Sequence, residues 1–104
     1  MRRIEIFMHG VPAGHLDELT PGTAYLFVYH DVYAGPPISL DLPVEKRRFE
    51  FDRFPFFFDG LLPEGILLDA LLRIRKIDRD DLMSQLAAVG NDMVGAVTAR
   101  EIPI

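Results

Sequence analysis

The spacing of apolar residues changes near residue 60 of this 104-residue chain. Before that point apolar and charged residues alternate, as they do around Ile4, Ile6 and Met8, which is typical of half-buried strands. After it, apolar residues recur every three or four positions, which is typical of helices. A run of strands followed by helices predicts an α+β fold, with a small antiparallel sheet of about five strands and two helices packed on one face.

The strands are expected before the helices, with one more at the end of the chain. The predicted strand segments are 3–9, 14–19, 23–29, 38–42 and 49–51, followed by 93–99. His9-Gly10 and Pro21-Gly22 are turn dipeptides and predict the connections between the first three strands.

The first helix is expected to begin at Pro63, which suits a first helical turn because its missing N–H needs no partner there. Asp69, Arg73 and Lys76 then form a single polar stripe. Leucines and Ile74 occupy the other positions. The pattern therefore predicts a helix that is buried over a wide arc.

The second helix is expected to begin after Asp78, which can cap its N-terminus, and to end at Gly90. Its apolar face comprises Leu82, Leu86 and Val89, flanked by Met83 and Ala87. This spacing predicts that one side of the helix packs on the sheet.

The composition narrows the class of protein. With a formal net charge of −5, the chain lacks the basic face that phosphate contacts require, so we expect no direct binding to nucleic acid. There is no cysteine, which excludes disulfides and thiolate metal sites. The N-terminus lacks a signal-peptide core, and no run approaches the roughly 20 apolar residues of a membrane span. We therefore expect one cytoplasmic domain over residues 1–104, with no membrane partner.

The residues offer no catalytic set. His9, His15 and His30 lack the spacing of metal ligands, so no metal site is expected. Ser39 and Ser84 lie outside any nucleophile motif, and no glycine-rich phosphate loop occurs. We expect a non-enzyme without a cofactor; a small ligand-binding or enzymatic domain is the alternative from another class.

The segment FPFFFDGLLPEG, residues 54–65, carries more apolar area than a small core accommodates. Alternation would point Phe54, Phe56 and Phe58 into the core and Phe57 away from it. Two adjacent leucines, Leu61 and Leu62, raise the same difficulty. Either the segment is core alone, or it is core together with a surface that another protein covers; surplus apolar area on a small monomer favours the second interpretation.

Four ordered segments resemble the N-terminal domain of the HipA family. They are IEIFMHGVPAGHLDEL near the start, PPISLDLPVEKRRFE, FFFDGLLPEG at 56–65 and LAAVGNDMVGAVTA at 86–99. The likeness spans nearly the whole chain. HipA proteins are serine/threonine kinase toxins in which this domain precedes the catalytic region, and the chain contains none of the kinase motifs.

A free-standing version of this domain is the antitoxin HipS of three-gene HipBST systems. The resemblance thus implies an antitoxin that binds and neutralises a HipT-like kinase toxin, with a HipB-like helix-turn-helix protein as a further partner in a ternary complex. The alternative is an N-terminal fragment of a full-length HipA kinase that contacts HipB. The candidate partner-binding residues are Phe57, Asp59, Leu61, Leu62, Pro63, Glu64, Gly65 and Ile66.

Overall fold

The computed structural model describes residues 1–92 and 95–103. Its strands are β1 (Arg2–Met8), β2 (Val11–Thr20), β3 (Ala24–Tyr29), β4 (Arg48–Phe51) and β5 (Val97–Ile102). Its helices are α1 (Phe56–Asp59), α2 (Gly65–Arg75) and α3 (Leu82–Val89), and a 3-10 turn spans Val44–Lys46. The strands form one sheet in the order β4-β3-β2-β1-β5, and each described pair is antiparallel. The expected α+β fold with a five-stranded antiparallel sheet is confirmed, and the short α1 adds a helix to the two expected.

The β1–β2 connection is a two-residue hairpin turn. His9 and Gly10 both have positive φ, at 51° and 80°, which is the backbone geometry that matches the twist of an antiparallel pair. Met8 pairs directly with Val11, so β2 begins three residues earlier than expected.

One face of the sheet carries the core. Ile4, Leu16 and Phe27 occupy neighbouring positions in adjacent strands and are fully buried. Met83 and Leu86 of α3 belong to the same core cluster, whereas Leu82 and Val89 are half-buried against it, so the expected apolar face packs on the core but is centred nearer Met83 than expected. Other core residues are Ile6, Tyr25, Tyr29, Phe49, Phe58, Val97 and Ala99. Arg3, Glu5 and Asp17 lie on the opposite sheet face, whereas Arg2 and Glu18 share the face that carries the core.

Residues 38–42 form turns, so the strand expected there is wrong. Ile38 and Leu42 are nevertheless buried, and the Tyr29 hydroxyl explains how. It donates a hydrogen bond to the Leu42 carbonyl at 2.5 Å and accepts one from the Ile38 N–H at 3.0 Å. The alternation of buried and exposed residues over 38–42 therefore belongs to a loop, whose backbone is hydrogen-bonded to the core at Ile38 and Leu42.

The N-terminus of α3 is capped by Asp81, not by Asp78 as expected. The Asp81 carboxylate accepts hydrogen bonds from the Ser84 N–H at 3.1 Å and from Arg2 of β1 at 2.6 Å. Because Asp81 bonds both elements, the cap also fixes α3 to the sheet. Gly90 ends the helix as predicted. The last strand begins at Val97, and residues 93 and 94 of the expected strand lie outside the described residues.

Candidate partner-binding surface

The aromatic segment is partly helical, which changes where its rings lie. A helical turn over Phe56–Asp59 directs Phe54 and Phe58 into the core, whereas Phe56 is 76% exposed. The expectation that Phe56 alternates into the core is therefore wrong, because the period of the segment is helical. Phe57 is half-buried and meets Phe58 edge-on, with ring centroids 5.2 Å apart.

Both adjacent leucines reach the core. Tight turns close around them, with the Leu61 N–H bonded to the Phe58 carbonyl and the Leu62 N–H to the Asp59 carbonyl, each at 3.1 Å. Leu61 is half-buried against the core and Leu62 is only 8% exposed. Leu62 thus anchors residues 59–65 to the core, and its side chain is not accessible to a partner in this conformation.

The three residues Pro63, Glu64 and Gly65 set the direction in which α2 leaves the aromatic segment. Pro63 lies before the helix and not in its first turn, and Glu64 is the capping residue, in an extended conformation. Gly65 begins the helix with φ at +59°, a region that glycine enters without steric penalty. Asp59, Glu64 and Gly65 are exposed. Gly65 therefore contributes a backbone bend that sets the direction of α2.

Helix α2 has no buried residue along its 11 positions. Ile66 is 85% exposed, and Leu67 and Ile74 are each 72% exposed. Leu68, Leu71 and Leu72 are half-buried on the side that faces the body of the domain, where α2 contacts α3. The expected burial over a wide arc is wrong, because the sequence shows how apolar a helix is but not whether its own chain covers it.

We define the α2 face as Ile66, Leu67, Ala70 and Ile74. At 100° per residue these side chains lie within about one third of the helix circumference, opposite the side that contacts the domain. Apart from the polar flank of Asp69 and Arg73, α2 therefore has apolar residues both on the side that packs on the domain and on a second side that the domain leaves exposed. Leu67 and Ile74 were not among the candidates predicted from the sequence. The signal that could have identified them is that α2 has more apolar residues than one buried side of a helix can accommodate.

Charges mark the two ends of this surface with opposite signs. Asp59 and Glu64 precede α2, whereas Arg73 and Arg75 lie in its last turn and Lys76 follows directly as the C-terminal capping residue. Cations near a helix C-terminus interact favourably with its dipole. The exposed helix is therefore an apolar strip with an acidic and a basic end.

One cluster of titratable groups pairs within the sheet, away from the α2 face. Arg3 donates to both carboxylate oxygens of Asp17, at 2.7 and 2.9 Å, and the His15 ring lies 3.1 Å from the same carboxylate. Burial opposes ionisation of Asp17, but the bonds from Arg3 and the nearby charges outweigh it and lower its pKa. This pairing joins β1 to β2 and has a structural role.

A groove of about 440 Å³ lies between β4 and α1. Phe49, Phe51 and Phe57 line it, and Lys46 and Arg53 lie at its margin. Within residues 1–92 and 95–103, His, Cys, Asp and Glu side chains form no group that could hold a metal ion. In the same ranges, the helices are too short to cross a membrane.

Comparison with known proteins identifies relatives by sequence and one by structure. The family model for the HipA N-terminal domain matches residues 4–100. An uncharacterized protein of Haemophilus influenzae is 34% identical over 101 residues, which cover 97% of this chain and 93% of that protein. A solved structure described as the N-terminal domain of HipA toxin matches with a TM-score of 0.79 and 29% identity, covering 99% of this chain and 94% of that one.

These matches agree with the sequence resemblance and with the five-stranded antiparallel sheet. The matched family is the N-terminal domain of HipA, which is distinct from the kinase domain of those toxins. The chain belongs to the HipA N-terminal domain family.

Proposed function

We propose that this protein is a single-domain antitoxin, which binds a HipT-like serine/threonine kinase toxin and neutralises it by protein–protein interaction. A HipB-like helix-turn-helix protein completes a ternary complex. The domain performs no catalysis of its own and needs no cofactor.

The observation that carries this proposal is the exposure of α2. An exposed apolar helix in a small domain is a typical protein interface. The family supplies the partner class, because the solved relative is described as the N-terminal domain of HipA toxin, and in such toxins this domain lies beside a kinase region. A domain separated from that region retains the surface that once met it.

The length of the curated relative also supports a free-standing domain. That Haemophilus influenzae protein is covered over 93% of its length by the alignment with this chain. It therefore has little room for a kinase region. We infer that this fold acts as a separate protein in at least one relative.

The binding surface that we propose extends the residues expected from the sequence. Asp59, Glu64, Gly65 and Ile66 are exposed and contact the kinase directly, and Leu67 and Ile74 join them. Phe57, Leu61 and Pro63 are half-buried and form the margin, whereas Leu62 holds the segment in place from the core. Neutralisation is steric: the helix occupies a cleft of the kinase or fixes its lobes in an inactive arrangement.

The alternative is an N-terminal fragment of a full-length HipA kinase that contacts HipB. The solved relative, described as the N-terminal domain of HipA toxin, favours this possibility. In that case the α2 face would pack against the rest of its own chain. The two possibilities differ in whether the kinase is a separate polypeptide.

Co-expression with a HipA-family kinase that lacks this domain tests the proposal. We expect the wild-type domain to restore growth and to co-purify with the kinase. Ile66→Glu places a charge in the apolar interface and should abolish both effects, because an anchor residue there contributes about 2 kcal/mol or more.

Leu40→Glu is the matched control. Leu40 is 95% exposed in the loop between β3 and β4, so the substitution makes the same chemical change outside the α2 face. It should leave rescue and binding intact. Absence of rescue and of a complex with the wild-type domain would contradict the antitoxin role, and rescue by Ile66→Glu would exclude α2 as the interface.

A further inference from the structure

The exposed side of α2 is self-complementary. Ile66, Ala70 and Ile74 follow each other at four-residue intervals, so they form one ridge along the helix with a small residue at its centre. Ile66 and Ile74 are both largely exposed. If two copies of α2 cross in an antiparallel orientation at Ala70, each Ile66 meets the partner copy's Ile74, and the two alanines permit close approach.

The charges beside the ridge have the same symmetry. Asp69 and Arg73 lie on one flank of α2 and both are exposed, and the Asp69 carboxylate accepts a hydrogen bond from Arg79 of its own chain at 2.7 Å. A two-fold axis at Ala70 brings like flanks together. With a rise of 1.5 Å per residue, Arg73 lies about 4.5 Å from the axis and the Asp69 of the second copy about 1.5 Å from it on the same side. The pairing therefore brings each Arg73 beside the second copy's Asp69 and forms two reciprocal ion pairs, in each of which the Asp69 carboxylate is shared with Arg79 of its own chain.

We propose that two copies of this protein associate through antiparallel pairing of α2 about Ala70. The occupant of the α2 face in the free protein is thus a second copy, which the palindromic ridge and the reciprocal charges favour. Resting on the proposed function, the association also regulates that same surface, because a dimer covers the residues that bind the kinase. Kinase binding and self-association are then mutually exclusive.

The contact is small, so the dimer is weak. An 11-residue helix is about 16 Å long. Such a contact covers less than the roughly 800 Å² per partner of a standard stable interface. A weak dimer dissociates readily. A kinase that binds the same surface more tightly can therefore displace the second copy.

Sedimentation of the purified chain over concentrations from about 10 µM to about 1 mM measures the association, a range suited to weak contacts. We expect a reversible monomer–dimer equilibrium. Asp69→Lys and Arg73→Glu each replace two attractive pairs by two repulsive ones, and each should weaken the dimer by about tenfold. Ala70→Glu places two carboxylates on the axis and should abolish association.

The decisive measurement is a mixture of the two charge variants. A heterodimer of Asp69→Lys with Arg73→Glu regains both attractive pairs, so an equimolar mixture should dimerise as well as the wild type although each variant alone does not. Arg75→Glu is the matched control: it makes the charge change of Arg73→Glu about 140° around the helix from Ala70, and it should leave the dimer unchanged. Circular dichroism confirms that each variant is folded.

Several results would overturn this inference: a wild-type chain that stays monomeric at the highest concentration, a mixture that fails to recover, or an Arg75→Glu variant as weak as Arg73→Glu. These measurements involve no kinase, so they remain valid if the antitoxin role fails. Conversely, a monomeric chain that still binds the kinase would reject the dimer and keep the antitoxin role.

Discussion

At the scale of single residues, Gly14 decides how closely two strands can lie. It sits in β2 opposite Tyr29 of β3, where a Cβ atom would overlap the Val28 carbonyl oxygen and lie 2.9 Å from the Tyr29 Cα. Both are backbone atoms in a paired strand, so neither can move away cheaply. Gly14 does not have positive φ, so its backbone conformation does not require glycine. The requirement comes from the close approach of β2 and β3.

Gly14→Ala should therefore lower the free energy of unfolding by about 2–3 kcal/mol, as overpacking does in a well-packed core. Urea denaturation followed by circular dichroism measures the change. Gly60→Ala is the matched control, because Gly60 has helical φ and a Cβ there would make only ordinary contacts at 3.5 Å. It should be neutral or stabilise by up to about 1 kcal/mol. Equal effects of the two substitutions would contradict the close approach.

At the scale of elements, α2 and α3 have different roles despite similar apolar content. Helix α3 buries Met83 and Leu86 in the core and is fixed to β1 through Asp81 and Arg2. Helix α2 has no fully buried residue and is half-buried only on the side of Leu68, Leu71 and Leu72. The stability of the domain therefore depends more on α3 than on α2, which packs against α3.

Alanine substitutions separate these roles. Ile66→Ala and Leu67→Ala should change the free energy of unfolding by no more than about 0.5 kcal/mol, as exposed positions do. Leu86→Ala should lower it by about 2–5 kcal/mol, because it leaves a cavity among the buried residues. Thermal or chemical denaturation compares the three variants. A large loss at Ile66 would mean that the free protein already covers α2, as the proposed dimer does at high concentration, so the measurement is made at low concentration.

Local pattern was sufficient for some elements and misleading for others. The alternation in β1 and the turn at His9-Gly10 involve neighbours in sequence, and they were predictable. Residues 38–42 alternate as a strand would, but the Tyr29 hydroxyl, nine residues away at its nearer bond, holds them as a loop. The direction of α2 depends on the bend at Gly65. Periodicity identified the helix, and the family resemblance placed Ile66 among the candidates, but neither could show that Leu67 and Ile74 are left exposed by the rest of the chain.

At the scale of the whole molecule, partly buried ion pairs join neighbouring strands and fix the sheet to α3, and they make stability depend on pH. Arg2 bonds Glu18 of β2 and Asp81 at the start of α3, and Arg3 bonds Asp17. Burial opposes ionisation of Asp81, but its bonds from Arg2 and Ser84 outweigh this and lower its pKa, as happens at Asp17. Both acids therefore hold their protons less tightly in the folded state than in the unfolded chain.

The sign of the effect follows from that difference. Because the folded pKa values are depressed, the stabilisation is present above the unfolded value of about 3.9 and is lost as the pH falls through the folded values. Urea midpoints should be similar at pH 7 and 5 and should fall below about pH 4. Asp17→Asn should be less stable at neutral pH and show a flatter acid dependence. Asp52→Asn, at a carboxylate whose side chain is 95% exposed, should keep the wild-type dependence.

The bare helix also affects how such a protein changes over generations. A substitution in a buried position alters folding and binding together, so most changes there are removed by selection. Positions such as Ile66 and Ile74 carry no part of the core, and they can vary without a penalty in folding. A lineage built on this fold can therefore exchange one recognition specificity for another by single steps along one helix, while the sheet beneath it stays the same.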